Sequence, residues 1–315
     1  MKNNGKNIKI SIVIFIDTLL VGLGLVGFAL FHHAMPQSMD TDIQILNNTV
    51  LAEELNAEEL NTYEQLDSKV VDKYTTGEII ETDTSYISED LNIKIDRVQE
   101  NNVTYYVADI YINNYTDLMT AFAMDTYGKA FVDDTLDMAI ENNAILAISG
   151  DYYGNGEDGI VIRNGALYRD DVECDVLVMN TDGTMETYTE DEFDIDTVIA
   201  NGAYQAWSFG PMLLDGGKVI TEFDASRHVL KDNPRCGIGY FEPGHYCFVV
   251  VDGRQEGYSE GVTLDEFSQI FYDLGCTVAY NMDGGKSAVM VFMDKVVNQP
   301  ASGGREISDI VFVAD

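Results

Sequence analysis

The stretch Thr263-Leu-Asp-Glu-Phe-Ser-Gln-Ile-Phe-Tyr-Asp-Leu-Gly-Cys-Thr-Val-Ala-Tyr-Asn-Met-Asp-Gly-Gly-Lys-Ser287 contains a helix pattern, a strand pattern and a glycine turn in direct succession. Apolar residues recur at helical spacing in its first half, and Gly275 follows them as a helix-ending residue. Residues 277–282 are a short apolar run, which is typical of a buried strand. The run ends at Asp283, so the stretch predicts a helix beside a strand that presents a carboxylate at its end.

From about residue 91 onward, a second pattern recurs in which two apolar runs flank a turn. The predicted hairpins cover 91–112, 160–168, 176–188, 212–220, 236–251 and 289–297, single strands 144–149 and 307–313, and a second helix 133–142. Many hairpins and few helices predict an α+β fold with a mostly antiparallel or mixed β-sheet core.

Residues 10–31 form an almost unbroken apolar run, long enough to cross a bilayer core as one helix. Lys2, Lys6 and Lys9 precede it, and the next Lys or Arg is Lys69. By the positive-inside rule, residues 1–9 are predicted to be cytoplasmic and the remainder extracellular. The run predicts an uncleaved signal-anchor, preceding the α+β domain, in a single-pass cell-membrane protein. A cleaved signal peptide is the alternative, but its apolar region would be shorter.

Residues 32–90 are predicted to form an acidic stalk ahead of a domain at 91–315. Between Asp40 and Asp90 the chain has 14 acidic and two basic residues, a net charge of −12. The part at 49–74 has loosely helical leucine spacing, so a short coiled coil and a solvated acidic spacer both remain open.

The whole chain of 315 residues has 54 Asp and Glu against 18 Lys and Arg, a formal net charge of −36. This charge argues against a nucleic-acid partner, because such proteins need a basic surface for the phosphates. Four cysteines are too few for a disulfide scaffold. One disulfide is an option outside the cell, although buried thiols are the simpler interpretation.

Three carboxylates each follow an apolar strand at a glycine-containing turn, namely Asp151, Asp252 and Asp283. Each motif taken singly is more often a structural turn than a site. If the three turns converge, they form a site with glycine amides and nearby cations, which suits a substrate with an anionic group such as phosphate. The candidate cations are Arg235, Arg254, Lys286 and Arg305.

Other catalytic arrangements have weaker support. Gly257-Tyr-Ser259-Glu-Gly261 fits a nucleophile elbow, but no histidine follows Ser259, so a tight turn or a substrate-binding hydroxyl is preferred. The acidic stretch 186–196 could take calcium, yet it lacks the EF-hand pattern and is better interpreted as a solvated loop. The sequence therefore predicts neither a metal site nor a cofactor.

Seven motifs in order resemble the phosphodiester glycosidase family, from about Ala130 to the C-terminus. They are Ser149-Gly-Asp-Tyr-Tyr153, Ser208-Phe-Gly-Pro-Met-Leu213, Pro234-Arg-Cys-Gly-Ile-Gly239, Val251-Asp-Gly-Arg254, Gly257-Tyr-Ser-Glu-Gly-Val-Thr-Leu-Asp-Glu-Phe267, Asn281-Met-Asp-Gly-Gly-Lys-Ser287 and Val297-Asn-Gln-Pro300. Two departures are visible: Ser149 stands where the family usually has Asn, and Lys286 stands where it usually has Gly. The second departure puts a cation in the family's glycine turn.

The resemblance implies a hydrolase that cleaves the glycosidic bond of a sugar-1-phosphodiester, and bacterial members are labelled exopolysaccharide-related. Asp283 and Asp252 are then the main catalytic candidates, with Asp151 third. The implied substrate-binding residues are Arg235, Arg254, Ser259, Gly284, Gly285, Lys286, Ser287, Asn298 and Arg305. Two alternatives stay open: a non-catalytic polysaccharide-binding protein, and a phosphodiesterase that breaks the P–O bond. The sequence leaves the oligomeric state undetermined.

Overall fold

The computed structural model describes Phe15, residues 18–23, Leu25, and residues 37–39, 43–46, 73–223 and 225–315. In this part of the chain 22 strands form four sheets, and their pairings are antiparallel. The predicted β-rich α+β fold is confirmed for these residues.

The largest sheet has nine strands. In spatial order they are β16 (Lys218–Val219), β15 (Met212–Asp215), β19 (Val278–Met282), β17 (Arg235–Glu242), β18 (His245–Val251), β6 (Val103–Ile112), β5 (Leu91–Glu100), β4 (Ser85–Ile87) and β3 (Ile80–Thr82). The outermost strands β3 and β4 precede residue 91, so residues 80–87, which were predicted to be stalk, belong to the sheet.

Three smaller sheets complete the fold. The five-stranded sheet has the order β21 (Lys295–Val296), β20 (Met290–Phe292), β9 (Leu146–Ser149), β22 (Asp309–Val313) and β7 (Leu118–Phe122). The six-stranded sheet has the order β13 (Met185–Tyr188), β12 (Val176–Asn180), β14 (Ala203–Trp207), β10 (Gly159–Arg163), β11 (Ala166–Asp171) and β2 (Gln44–Ile45). The two-stranded sheet pairs β1 (Gln37–Ser38) with β8 (Gly128–Lys129).

The helices in the domain are short. They are α1 (Thr135–Glu141), α2 (Ile195–Ala200) and α3 (Leu264–Leu274). Helix α3 begins with a capping box, in which the Thr263 hydroxyl accepts from the Glu266 amide and the Glu266 carboxylate accepts from the Thr263 amide. It ends at Gly275, whose φ of 92° is the left-handed conformation that glycine adopts without strain.

Strand β18, in the centre of the large sheet, is buried on both faces. Its alternate residues Tyr246, Phe248 and Val250 belong to the main core, which also includes side chains of the five- and six-stranded sheets. The intervening residues, such as Cys247 and Val249, belong to a second core beneath α3. Such a continuously apolar strand is a rigid platform for the turn that follows it.

The N-terminal predictions fall mostly outside the described residues. No helix in the described part of the chain is long and apolar enough to cross a membrane. Of the predicted anchor at 10–31, only Phe15, residues 18–23 and Leu25 are described, and residues 47–72 of the stalk lie outside. The anchor therefore stays a prediction, as does the stalk at residues 47–72, whereas residues 37–38 and 44–45 pair with strands of the domain.

Candidate active site

The three carboxylate turns predicted from the sequence lie close together, where β17 begins and β18 and β19 end. The start of β17 pairs with the end of β18, with Arg235 opposite Val251, and Cys236 lies opposite Met282 of β19. The β9 turn joins them because the Asp283 amide donates to the Gly150 carbonyl at 3.0 Å. The ends of β18 and β19 therefore lie beside the start of β17, and the turn after β9 is joined to the end of β19.

The turn at Gly284 and Gly285 packs directly on the backbone before β17. A Cβ at Gly284 would lie 2.8 Å from the Pro234 carbonyl oxygen, so any larger residue would force the backbones apart. Gly285 has a φ of 66°, and its amide donates to the same carbonyl at 2.9 Å. Its missing side chain leaves space for the Arg254 guanidinium, which would lie 3.3 Å from a Cβ there.

The buried Asp283 forms an ion pair with Arg305, whose side chain is 39% exposed. The Arg305 Nη2 donates to the Asp283 Oδ2 at 2.6 Å, its Nε donates to the Ser287 hydroxyl at 2.5 Å, and its guanidinium lies 4.6 Å from the Tyr152 ring centre. Burial raises the pKa of the Asp283 carboxyl, and the hydrogen bond from Ser287 and the charge of Arg305 oppose that rise. Arg305 thus holds the carboxylate in one orientation.

This ion pair is close to solvent. Arg305 also lines a surface groove together with Val289, Pro300 and Gly304. A ligand in that groove would contact the arginine that orients Asp283.

Asp151 takes part in a buried triad that the sequence did not predict. Its Oδ1 lies 2.7 Å from the Arg163 Nη2, and the same nitrogen donates to the Asp309 Oδ2 at 3.1 Å. All three side chains are at most 2% exposed. Burial and the Asp151 charge raise the pKa of Asp309 to about 7, while Arg163 opposes that rise. The sequence signals that could have indicated this triad are Arg163 and Asp309, each a charged residue in an otherwise apolar strand.

The remaining donors to Asp151 are backbone amides. The Tyr153 amide donates to its Oδ1 at 3.2 Å and the Ser208 amide to its Oδ2 at 3.0 Å. Both carboxylate oxygens are therefore engaged by groups that fix their position.

The Asp252 carboxylate accepts more hydrogen bonds than the Asp151 carboxylate does. Its Oδ1 accepts from Asn298 at 2.8 Å, its Oδ2 accepts from the Tyr258 hydroxyl at 2.8 Å, and the Gln299 amide donates to both oxygens at 3.0 Å. Burial raises its pKa and these hydrogen bonds oppose the rise. This geometry favours a role for Asp252 in tying the β18 turn to the 298–299 loop.

Two further predicted ligands, Ser259 and Asn298, are buried within the framework of the site. The Ser259 hydroxyl accepts from the Thr104 amide at 3.0 Å and donates to the Asp252 carbonyl at 2.6 Å. The Asn298 amide side chain donates to Asp252 and to the Ala288 carbonyl, and its oxygen accepts from the Met290 amide. Both side chains hold backbone segments in place.

Arg235 and Arg254 are cations that form no ion pair with any described carboxylate. The Arg235 Nε and Nη2 donate to three backbone carbonyls at 2.5 to 3.1 Å, and Arg254 donates to the Asn233 side-chain oxygen at 2.7 Å. Burial and the charge of Arg254 lower the pKa of Arg235 to about 10, so the two guanidiniums repel each other. Lys286 is exposed on the adjoining turn and has no ion pair among the described residues. An excess of positive charge at one edge of a strongly acidic chain is the arrangement that binds an anion.

The acidic stretch 186–196 uses its carboxylates for local structure. Asp194 accepts from the Thr197 amide at 2.8 Å as the N-cap of α2, and Glu192 accepts from the Thr189 hydroxyl at 2.8 Å. Within the described residues, no group of three or more His, Cys, Asp or Glu side chains is arranged to hold a metal ion.

Comparison with known proteins identifies the family. A sequence model described as phosphodiester glycosidase matches residues 142–314. The SPbeta prophage-derived uncharacterized protein YomE of Bacillus subtilis (strain 168) is 26% identical over 269 residues, covering 78% of this chain and 40% of that protein. The chain therefore spans less than half the length of this curated relative.

Two solved structures share the fold. One is the zebrafish N-acetylglucosamine-1-phosphodiester alpha-N-acetylglucosaminidase catalytic domain auto-inhibited by pro-peptide, with a TM-score of 0.56 and 18% identity over 72% of this chain and 83% of that one. The other is a hypothetical protein from Synechocystis, with a TM-score of 0.51 and 15% identity over 72% of this chain and 62% of that one. At these identities the likeness concerns the fold, whereas the match at 142–314 covers more than half of the chain. The chain belongs to the phosphodiester glycosidase family.

Proposed function

We propose that the chain hydrolyses the bond between the anomeric carbon of a sugar and a phosphodiester oxygen, releasing the sugar and a phosphomonoester. The observation that carries the proposal is that the Arg254 guanidinium packs against Gly285, two residues after the buried carboxylate Asp283, while neither Arg254 nor Arg235 has a carboxylate partner among the described residues. The phosphodiester supplies the anion for the cations, and the carboxylate acts on the sugar. Membership of the family supports this class of reaction.

The arginines act on the leaving group. A phosphomonoester is a weak base, so its departure needs little protonation and depends instead on stabilising the negative charge that develops on its oxygen. Arg254 is exposed and contacts the phosphate directly, while Arg235 lies behind it and raises the local positive potential. Their side chains are already positioned by hydrogen bonds, so little reorganisation accompanies the reaction.

Asp283 acts on the anomeric centre, as nucleophile or as the base that activates water. Its known donors are Arg305 and Ser287, whereas Asp151 and Asp252 have both oxygens engaged by framework groups. Asp151 and Asp252 are accordingly positioning residues in this proposal. The absence of a side chain at Gly285 lets the Arg254 guanidinium pack against the turn that follows Asp283.

Replacing Arg254 with methionine should weaken substrate binding by roughly 10- to 100-fold, because a hydrogen bond to a charged group contributes about 1.5–3 kcal/mol. The measurement is the KM for a methyl diester of N-acetylglucosamine-1-phosphate, together with the Kd for inorganic phosphate. Lys218→Met, in an exposed hairpin, is the control.

Binding should also weaken as salt rises in the wild type, and this dependence should become smaller in Arg254→Met. A KM that is insensitive to both ionic strength and the substitution would contradict the assignment of Arg254 to the phosphate.

We also propose that residues 10–31 anchor the protein in the cell membrane with the hydrolase outside, where surface glycans and exopolysaccharides carry sugar phosphodiesters. The long apolar run and the lysines ahead of it support this orientation. Protease added to intact cells is expected to release the domain, and a protected domain in intact cells would contradict the orientation.

A further inference from the structure

Two of the four cysteines have their sulfur atoms in contact. The Cys247 and Cys276 Sγ atoms lie 3.6 Å apart, and the two residues are 0% and 3% exposed. The other two cysteines have oxygen partners, because the Cys236 Sγ lies 3.8 Å from the Ser149 carbonyl and the Cys174 Sγ lies 3.4 Å from the Ser208 hydroxyl.

The fold holds the two sulfurs together from both sides. Cys247 lies within β18, directly opposite Gly239 of β17, and Cys276 follows α3 with its amide donating to the Phe271 carbonyl at 3.1 Å. A Cβ at Gly239 would lie 2.7 Å from each sulfur, so the glycine provides the space in which they meet.

We propose that Cys247 and Cys276 are a disulfide cross-linking site, oxidised by a small-molecule disulfide such as oxidised glutathione. One protein thiolate attacks the glutathione disulfide and releases one glutathione, and the second protein thiolate then displaces the other glutathione from the mixed disulfide. Two protein thiols thereby lose two electrons and two protons, and two glutathione thiols form. The sulfurs must approach from 3.6 Å to a bond of about 2.05 Å.

The cross-link would enclose a segment that carries part of the candidate site. The two residues are 29 positions apart, and the chain between them contains Asp252, Arg254 and all of α3. Because a disulfide removes conformations from the unfolded chain, the oxidised protein should resist thermal unfolding better than the reduced one. A shift in Tm of roughly 4–10 °C is expected for a chain of this size.

Oxidation should occur while the chain folds. Burial and the neighbouring thiol raise the pKa of Cys247, so the reactive thiolate is scarce once the pair is enclosed. Glutathione added to the folded, reduced protein should therefore react slowly, and a formed disulfide should be hard to reduce without denaturant.

The test is to denature and reduce the full-length protein, refold it in a glutathione redox buffer, alkylate free thiols under denaturing conditions, and measure its mass. We expect two alkylated cysteines, and a peptide map in which the fragments of Cys247 and Cys276 are linked. Cys276→Ala should leave three alkylated cysteines, whereas Cys174→Ser should leave one alkylated cysteine and keep the link.

A wild-type protein that refolds with four alkylated cysteines overturns the proposal, and so does a link that involves Cys174 or Cys236. An unchanged Tm on oxidation overturns the stabilising role. None of these readouts requires turnover of any substrate, so the result does not depend on the proposed hydrolase activity.

Discussion

Replacing Arg163 with methionine is expected to lower the free energy of unfolding by roughly 3–5 kcal/mol, because it leaves two buried carboxylates without the cation that they share. Arg163 contacts Asp151 at 2.7 Å and Asp309 at 3.1 Å, and it also donates to the Ala206 carbonyl. The measurement is the urea midpoint with an unchanged m-value.

Arg169→Met is the matched control, since Arg169 is a half-buried arginine on the next strand that donates to backbone carbonyls. It should cost about 1 kcal/mol. Adding Asp309→Asn to Arg163→Met should recover part of the loss, because it removes one of the two buried carboxyl groups that have lost their cation. Equal losses in the two single variants would show that the triad contributes no more than ordinary hydrogen bonds.

The same triad predicts how stability changes with pH. The folded pKa of Asp309 is raised to about 7 from 3.8, so the native state binds the proton more tightly than the unfolded chain. Its contribution to stability is complete below pH 3.8 and is lost as the pH rises through 7. Asp309→Asn removes this dependence, so its stability relative to the wild type should increase between pH 5 and pH 8. Asp117, whose pKa burial also raises to about 7, is present in both proteins and cancels in the comparison.

The hairpins were predictable because their signals are local. Turns such as Asn164-Gly165 and Asp182-Gly183 lie where the sequence predicts them, and the Asp182 side chain accepts from Thr184 within its turn. By contrast, β7 and β14 were not predicted, because they pair with strands more than 20 residues away and have no tight turn beside them. The helix α2 was not predicted, and its first two residues fall in the acidic stretch 186–196 that was interpreted as a loop.

The site shows the same division between local and long-range information. Three similar strand-to-turn motifs identified Asp151, Asp252 and Asp283 as candidates, but whether the turns converge was left open by the sequence and depends on the pairing of β17 with β18 and β19. The hydrogen bonds that occupy the carboxylate oxygens come from residues distant in the chain. Gln299, which donates to Asp252, lies 47 residues from it, and Arg163 and Asp309 of the buried triad are 146 residues apart. No pattern along the chain encodes those contacts. The sequence alone therefore could not show which of the three carboxylates are held as positioning residues and which one is free to react.

Asp283→Asn is expected to lower kcat by at least about 10³-fold with little change in KM, because the substitution removes a negative charge beside the anomeric centre and leaves the phosphate contacts intact. Asparagine has the same shape, and its side-chain oxygen still accepts from Arg305, so the fold should persist. The measurement is the release of phosphomonoester from a methyl diester of N-acetylglucosamine-1-phosphate. Asp182→Asn, in an exposed turn, is the control and should retain wild-type turnover.

Hydrolysis of the same diester in ¹⁸O-labelled water distinguishes the proposed glycosidase from the two alternatives, a phosphodiesterase and a non-catalytic carbohydrate-binding protein. A C–O cleavage puts the label in the sugar, because water attacks the anomeric carbon or the glycosyl intermediate formed on it. A label in the phosphate would instead make the protein a phosphodiesterase, in which Arg235 and Arg254 would bind the phosphoryl group under attack. Binding of the diester without turnover by the wild type would make it a carbohydrate-binding protein. In either of these cases Asp283 would lose its assigned role while the anion site of the two arginines would remain, because that site depends on unpaired cations and not on the bond that is broken.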